Sequence, residues 1–167
     1  MIFTIKKGSH YCNQGLYKIC NLFNFQTHIE YSVIFHQSCV YTLNTTDQLD
    51  INKLFGFSLG ANHHLDSVRF GWNYLDGKII LHGYWYSNGK RNNLFITRIN
   101  VEEECILGIT VESDNTTFTC KKAATGAVTK IKVYRSKKFQ PGYNLWPYFG
   151  GNNTAPHDIE ISMTKIK

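Results

Sequence analysis

No stretch of this sequence strings together the roughly 18 apolar residues that a membrane-crossing helix needs, so no membrane partner is expected. The opening residues, MIFTIKKGSHYC, lack the basic n-region, the apolar run and the small-residue cleavage site of a secretory leader, and the chain reads as cytoplasmic. Proline is scarce, three in 167 residues, which excludes a proline-rich linker. Cysteine is present but unorganised. Cys12, Cys20, Cys39, Cys105 and Cys120 are odd in number, include no C-x-x-C, and stand at no zinc-like spacing from histidine. They read as reduced thiols, mostly in the core, and no metal or other cofactor is expected. Also missing is any apolar period of 3.6 residues with helix caps, which argues against helical bundles and α/β folds. Without a leader, the sequons at Asn44, Asn115 and Asn152 are polar turns rather than glycosylation sites.

The chain is rich in β-branched and aromatic residues. With 43% hydrophobic and 14% aromatic residues it can bury a proper core. Strands are expected over 1–6, 16–22, 27–35, 39–43, 52–59, 67–74, 78–86, 92–99, 105–111, 116–121, 128–134, 143–149 and 158–166. Turn pairs at Asp76-Gly77, Asn88-Gly89, Asp114-Asn115, Pro141-Gly142 and Gly150-Gly151 separate many of them. Closely spaced short strands with such turns predict an all-β fold, an antiparallel β-sandwich of jelly-roll type, as one domain over 1–167.

The strongest local signal is the segment SVRFGWNYLDGKIILHGYWY. Asp76-Gly77 is a type I′ pair, which sets Leu75 opposite Lys78 and fixes the pairing back to Ser67 opposite Tyr86. Asn88-Gly89 is a second such pair and sets Tyr86 opposite Arg91, Tyr84 opposite Asn93 and His82 opposite Phe95. Side chains alternate along a strand, so Val68, Phe70, Trp72, Tyr74, Ile79, Leu81 and Trp85 form a core face. The other face carries Ser67, Arg69, Asn73, His82, Tyr84, Tyr86, Arg91 and Asn93, able to hold a polar ligand. Gly71 is expected to leave room beside His82 for a ligand to approach the backbone.

A second aromatic and amide-rich stretch is PGYNLWPYFGGNNTAPHD. Trp146 and Tyr148 can stack on sugar rings or bases, and Asn152, Asn153 and His157 can bind hydroxyls or phosphates. His63 and His64 stand just before the Arg69 strand and are expected near one end of its polar face. A formal charge of +6 favours an anionic partner, although no nucleic-acid-binding motif is present. Gly56-Phe57-Ser58-Leu59-Gly60 spells the G-x-S-x-G of hydrolases, but without a following helix it is no nucleophile elbow. No acidic residue lies on the polar face, so glycoside hydrolysis by paired carboxylates is not expected.

HHLDSVRFGW and PYFGGNNTAPHDI together resemble the HH-x-x-S-x-RFGW-like and PYFGG-x-x-x-APHDI-like motifs of an uncharacterised family of small bacterial and phage-associated β-proteins. That resemblance extends over most of the chain. It implies a concanavalin A-like jelly-roll sandwich, similar to lectin and polysaccharide-lyase domains, and supplies no activity.

The residues point first to non-catalytic binding, such as sequestration, of a small anionic ligand that is nucleotide-like or an acidic glycan. Phage-encoded capture of a host nucleotide signal would fit this pattern. Arg69 would pair with phosphate or carboxylate, with Arg91 adding charge at the rim. One alternative is a lyase acting on an acidic polysaccharide; another is a virion or other structural protein with the polar face at a homo-oligomer interface.

Overall fold

The computed structural model describes residues 1–13, 27–135 and 142–166. Among these residues eleven strands form: β1 (Ile2–Ile5), β2 (His28–Phe35), β3 (Asn52–Ser58), β4 (Ser67–Leu75), β5 (Lys78–Ser87), β6 (Lys90–Ile99), β7 (Cys105–Val111), β8 (Asn115–Lys122), β9 (Val128–Tyr134), β10 (Asn144–Leu145) and β11 (Ile159–Lys165). They form two antiparallel sheets, ordered β1-β11-β2-β7-β8-β9 and β10-β3-β4-β5-β6. The fold is all-β, a jelly-roll-like sandwich. No helix among the described residues is long and apolar enough to cross a membrane.

The sequence builds this sandwich by alternation. In β2, HIEYSVIF buries Ile29, Tyr31, Val33 and Phe35 and leaves the residues between them partly exposed. Aromatic rings then bridge the sheets. Phe70 of β4 lies 5.4 Å from Phe118 of β8, and Phe55 of β3 lies 4.7 Å from Tyr31 of β2. Phe118 packs so close over Gly83 that a Cβ there would lie 2.9 Å from its ring.

Both predicted I′ turns form. Asp76 and Gly77 have φ of 52° and 74°, and Asn88 and Gly89 have 51° and 76°. The register matches the expectation, with Ser67 on Tyr86, Arg69 on Tyr84, Tyr86 on Arg91 and His82 on Phe95. Two bulges interrupt the pairing. Leu81 pairs with Thr97 and His82 with Phe95, so Ile96 is an extra residue on β6 and turns inward. On β3, Lys53 pairs with Gly71 and Gly56 with Arg69, which again inserts one residue.

Several expectations are corrected. Residues 39–43 are not a strand: a 3-10 turn over Gln37–Cys39 leads into a connection from one sheet to the other. With no strand alongside, Leu43 N–H is satisfied by the Gln48 side chain, and the buried Tyr41 hydroxyl accepts from Asn52 Nδ2 at 2.9 Å. Only Asn144–Leu145 of the expected strand at 143–149 forms a ladder. Gly71 leaves no room for a ligand, because the Ile51 side chain fills that space, 2.4 Å from where a Cβ would stand. Ser58 is buried in β3 and donates to Gly60 O at 2.6 Å, so its hydroxyl is committed to the backbone. Cys12, Cys39, Cys105 and Cys120 are buried. Cys20, the expected strand at 16–22 and Pro141 lie outside the described residues.

Candidate functional site

The outer face of the five-stranded sheet is walled along one side. The segment 142–152, which carries the edge strand β10 beside β3, makes with that face a cleft of about 560 Å³. Gly142 permits a close approach to β3, since a Cβ there would lie 2.0 Å from Ser58 O. Backbone bonds fasten the segment at both ends. Ser58 N–H donates to Tyr143 O at 2.8 Å, while Lys53 and Tyr148 exchange N–H···O bonds of 2.8 and 2.9 Å. Between these anchors Trp146 and Pro147 stand opposite the β3 bulge.

That bulge decides the chemistry of the cleft floor. Strict alternation would place Lys53 on the same side as Phe55 and Phe57, inside the sandwich. The extra residue reverses this, so Leu54, Phe55 and Phe57 are buried in the core while Lys53 lines the cleft. Its ammonium donates to Gly150 O at 2.8 Å and stands 5.5 Å from the ring centres of both Tyr84 and Tyr148. Burial and the neighbouring Arg69 guanidinium lower its pKa to about 8.

Arg69 stands on β4 and is only 8% exposed. Its Nη2 donates to Trp146 O at 2.9 Å, and its buried Nε has no hydrogen-bond partner among the described residues. Burial lowers its pKa to about 10, which leaves it charged at neutral pH. Neither Arg69 nor Lys53 has a carboxylate within ion-pair distance among the described residues, and no Asp or Glu lines the cleft. Arg91 from β6 adds an exposed positive charge at the rim.

Rings form the walls: Tyr84 and Tyr86 from β5, Trp146, Tyr148 and Tyr143 from the segment 142–152, and Tyr11 from the amino-terminal stretch. Tyr84 is held protonated, by burial first and then by its hydrogen bond with Tyr86. At one end His63 Nδ1 lies 2.6 Å from the Tyr143 hydroxyl, and the His63 and His64 rings are 4.2 Å apart. Burial and then the charges of His64 and Arg69 lower the His63 pKa to about 4, so it is neutral at pH 7. A planar cation, an ammonium, a neutral imidazole and several ring faces therefore converge on one space.

Nine of the thirteen residues singled out from sequence line this cleft: His63, His64, Arg69, Tyr84, Tyr86, Arg91, Trp146, Tyr148 and Asn152. Four do not. His82 Nε2 is 3.0 Å from Asn73 Oδ1. Asn93 is exposed on the outer strand. Asn153 Nδ2 donates to Asp47 Oδ2 at 2.6 Å. His157 Nε2 is bonded to Ser38 O at 2.8 Å. Ser67, expected on the polar face, and Gly151 of the Gly-Gly pair line it too, and so do Lys53, Tyr143, Tyr11 and Asn144, which were not singled out. Among the described residues no cluster of three His, Cys, Asp or Glu side chains could hold a metal ion.

No protein-family model matches the chain, and no curated protein matches it in sequence. Solved structures do share its fold. An alginate lyase from Klebsiella pneumoniae superposes with a TM-score of 0.58 at 12% identity, over 83% of this chain. The LG1-3 region of the laminin α2 chain gives 0.52 at 7% identity, over 98% of this chain and 30% of its own. Scytalido-glutamic peptidase gives 0.51 at 10% identity, over 98% of this chain and 78% of its own. The chain spans 58% of the length of the lyase. At these identities the likeness is one of fold.

Proposed function

We propose that this protein is a binding module for an acidic saccharide, held in the cleft between the outer face of the five-stranded sheet and the segment 142–152. One observation carries the reading: Lys53 and Arg69 are cations withdrawn from water with no carboxylate within ion-pair distance among the described residues, Asp50 acting on Lys53 only from farther away. Burying a charge without a partner is costly, and an anion arriving with the ligand removes that cost. The Arg69 guanidinium, already tied through Nη2, keeps its Nε for a carboxylate oxygen. The surrounding rings suit the apolar faces of a pyranose. A sandwich fold of the kind found in an alginate lyase supports a saccharide over a nucleotide.

Titration calorimetry with trigalacturonate, a neutral trisaccharide, AMP and a cyclic dinucleotide tests this reading. Binding of trigalacturonate alone is expected. At a hundredfold excess over its Kd it stabilises the fold by about 2.7 kcal/mol, visible as a thermal shift. Equal binding of the neutral sugar, or none by any compound, overturns the proposal.

A second reading, turnover by β-elimination, is favoured by the 2.6 Å contact between a neutral His63 and the Tyr143 hydroxyl beside Arg69. A proton-transferring pair next to a carboxylate-binding cation is what that reaction needs. Ultraviolet absorbance from unsaturated uronate, lost in Tyr143→Phe, would convert the binder into a lyase. A flat trace with trigalacturonate bound leaves it a binder.

A further inference from the structure

The cleft does not end at Trp146. A second cavity of about 350 Å³ lies on the other side of it, lined by Phe3 of β1, Tyr31 of β2, and Met163, Thr164 and Lys165 of β11. Asn144 and Trp146 line both spaces. The second cavity sits where the β10 edge of one sheet meets the β1–β11 edge of the other. The Phe3 ring stacks against the Trp146 indole at 5.5 Å and 17°, which holds the indole at this junction. The same residue fixes Arg69 through its carbonyl, so residue 146 joins the two spaces mechanically.

The cationic groups fall in sequence along this path. Arg91 stands on β6, Arg69 on β4, Lys53 on β3 and Lys165 beyond β10. Crossing from β6 to β10 at the usual strand spacing covers about 19 Å, and the second cavity lengthens the path further. A single hexose would occupy only part of it.

The geometry points to a linear acidic oligosaccharide lying across the strands, with a second subsite beyond Trp146 in which Lys165 meets the carboxylate of a further sugar unit. This rests on the acidic-saccharide reading above and extends it to chain length. A single-stranded nucleic acid is the competing polyanion. Its charge runs along an exposed backbone and would need cations along the rim. Here the central cations are on the floor, with Arg69 only 8% exposed, within reach of a carboxylate carried on a ring that packs against Tyr84 and Tyr148.

The test compares galacturonate oligomers of one, two and four units, with oligothymidylate as the competing ligand. The tetramer is expected to bind at least tenfold more tightly than the dimer. Lys165→Ala should remove that gain and leave dimer affinity within twofold. Trp146→Phe, which keeps a ring against Phe3, should retain most of the gain, whereas Trp146→Ala should lose it. Dimer and tetramer binding equally, or Lys165→Ala leaving the gain untouched, overturns the second subsite while the cleft reading stands. Absence of binding at every length overturns the cleft reading itself. Tighter binding of oligothymidylate than of the tetramer overturns the ligand class.

Discussion

The two sheets turn their outer faces to very different uses. Along the six-stranded sheet and its flanks several charges are paired within the chain. Lys6 meets Asp158 at 2.7 Å, Lys132 meets Glu112 at 3.3 Å and Lys122 meets Glu103 at 3.5 Å. Such contacts hold the surface in solution and contribute little to stability. On the five-stranded sheet Lys53 and Arg69 are withdrawn from water, bonded to the carbonyls of Gly150 and Trp146, and have no carboxylate within ion-pair distance among the described residues. One sequence of modest net positive charge thus spends its cations in two ways. What separates a solvated face from a binding face is whether the opposite charge is supplied by the chain or left to come from outside.

Removing Arg69 should break this contrast most severely. Arg69→Ala is expected to weaken trigalacturonate by about 2 kcal/mol, roughly thirtyfold, by calorimetry. Arg69→Lys should recover little, because one ammonium cannot hold Trp146 O and present a planar edge to a carboxylate as well. Wild-type affinity with Arg69→Ala would mean that the guanidinium only secures the segment 142–152.

Lys53 comes next, at about tenfold, and it carries a pH signature. Its ammonium loses its proton near pH 8, so anion affinity should fall as the pH rises from about 7 to 9. Lys53→Met should be weaker at pH 7 and flat over that range. The unliganded protein should show the opposite trend in stability. The folded pKa lies below the unfolded value of 10.5, so the unfolded chain holds the proton more firmly until that pH is passed. Stability from this group therefore rises as the pH climbs from about 8 towards 10.5.

Lys53 also marks where sequence reasoning stops. The hairpin registers were legible because Asp76-Gly77 and Asn88-Gly89 fix two-residue turns, and alternation then sorts every side chain from Ser67 to Arg91. On β3 no turn fixes the register, and the inserted residue that sends Lys53 to the cleft has no sequence mark beyond Gly56. The burial of Arg69 was equally hidden. The aromatic segment was recognisable as a ligand-binding type, but its place beside β3 depends on long-range bonds such as Ser58 N–H to Tyr143 O. His157 and Asn153 share that segment's composition but point to Ser38 and Asp47 instead, which composition alone does not reveal.

The rings should contribute less than the charges. Tyr148→Ala is expected to cost about 1 kcal/mol of binding, since stacking against a single ring is worth that order. It should also relieve Lys53, whose ammonium lies 5.5 Å from that ring, so the midpoint of the pH profile should move upward with exposure. Loss of affinity without movement of the midpoint would place Tyr148 in contact with ligand but not in the shielding of Lys53.

His63 tests the same face from the acid side. Its pKa is about 4 in the fold against 6.5 unfolded, so below pH 6.5 the unfolded chain takes up a proton that the folded one refuses. Stability should decline as the pH falls from 6.5 towards 4, and His63→Gln should flatten that part of a thermal-melt series. The effect is small because the ring is partly exposed.

The smallest expected effect is the sharpest control. Lys132→Ala removes a half-exposed cation from the six-stranded sheet, 3.3 Å from Glu112. Stability should change by no more than about 0.5 kcal/mol, and trigalacturonate affinity not at all. This cation has the same formal charge as Lys53, so deleting either changes the net charge equally. If long-range attraction to a basic protein governed anion binding, both deletions would weaken it alike and salt would abolish the difference. If the cleft governs it, only Lys53 matters, and the gap between the two variants persists in 0.5 M salt, where a Debye length of about 4 Å leaves exposed charges screened and buried ones still effective.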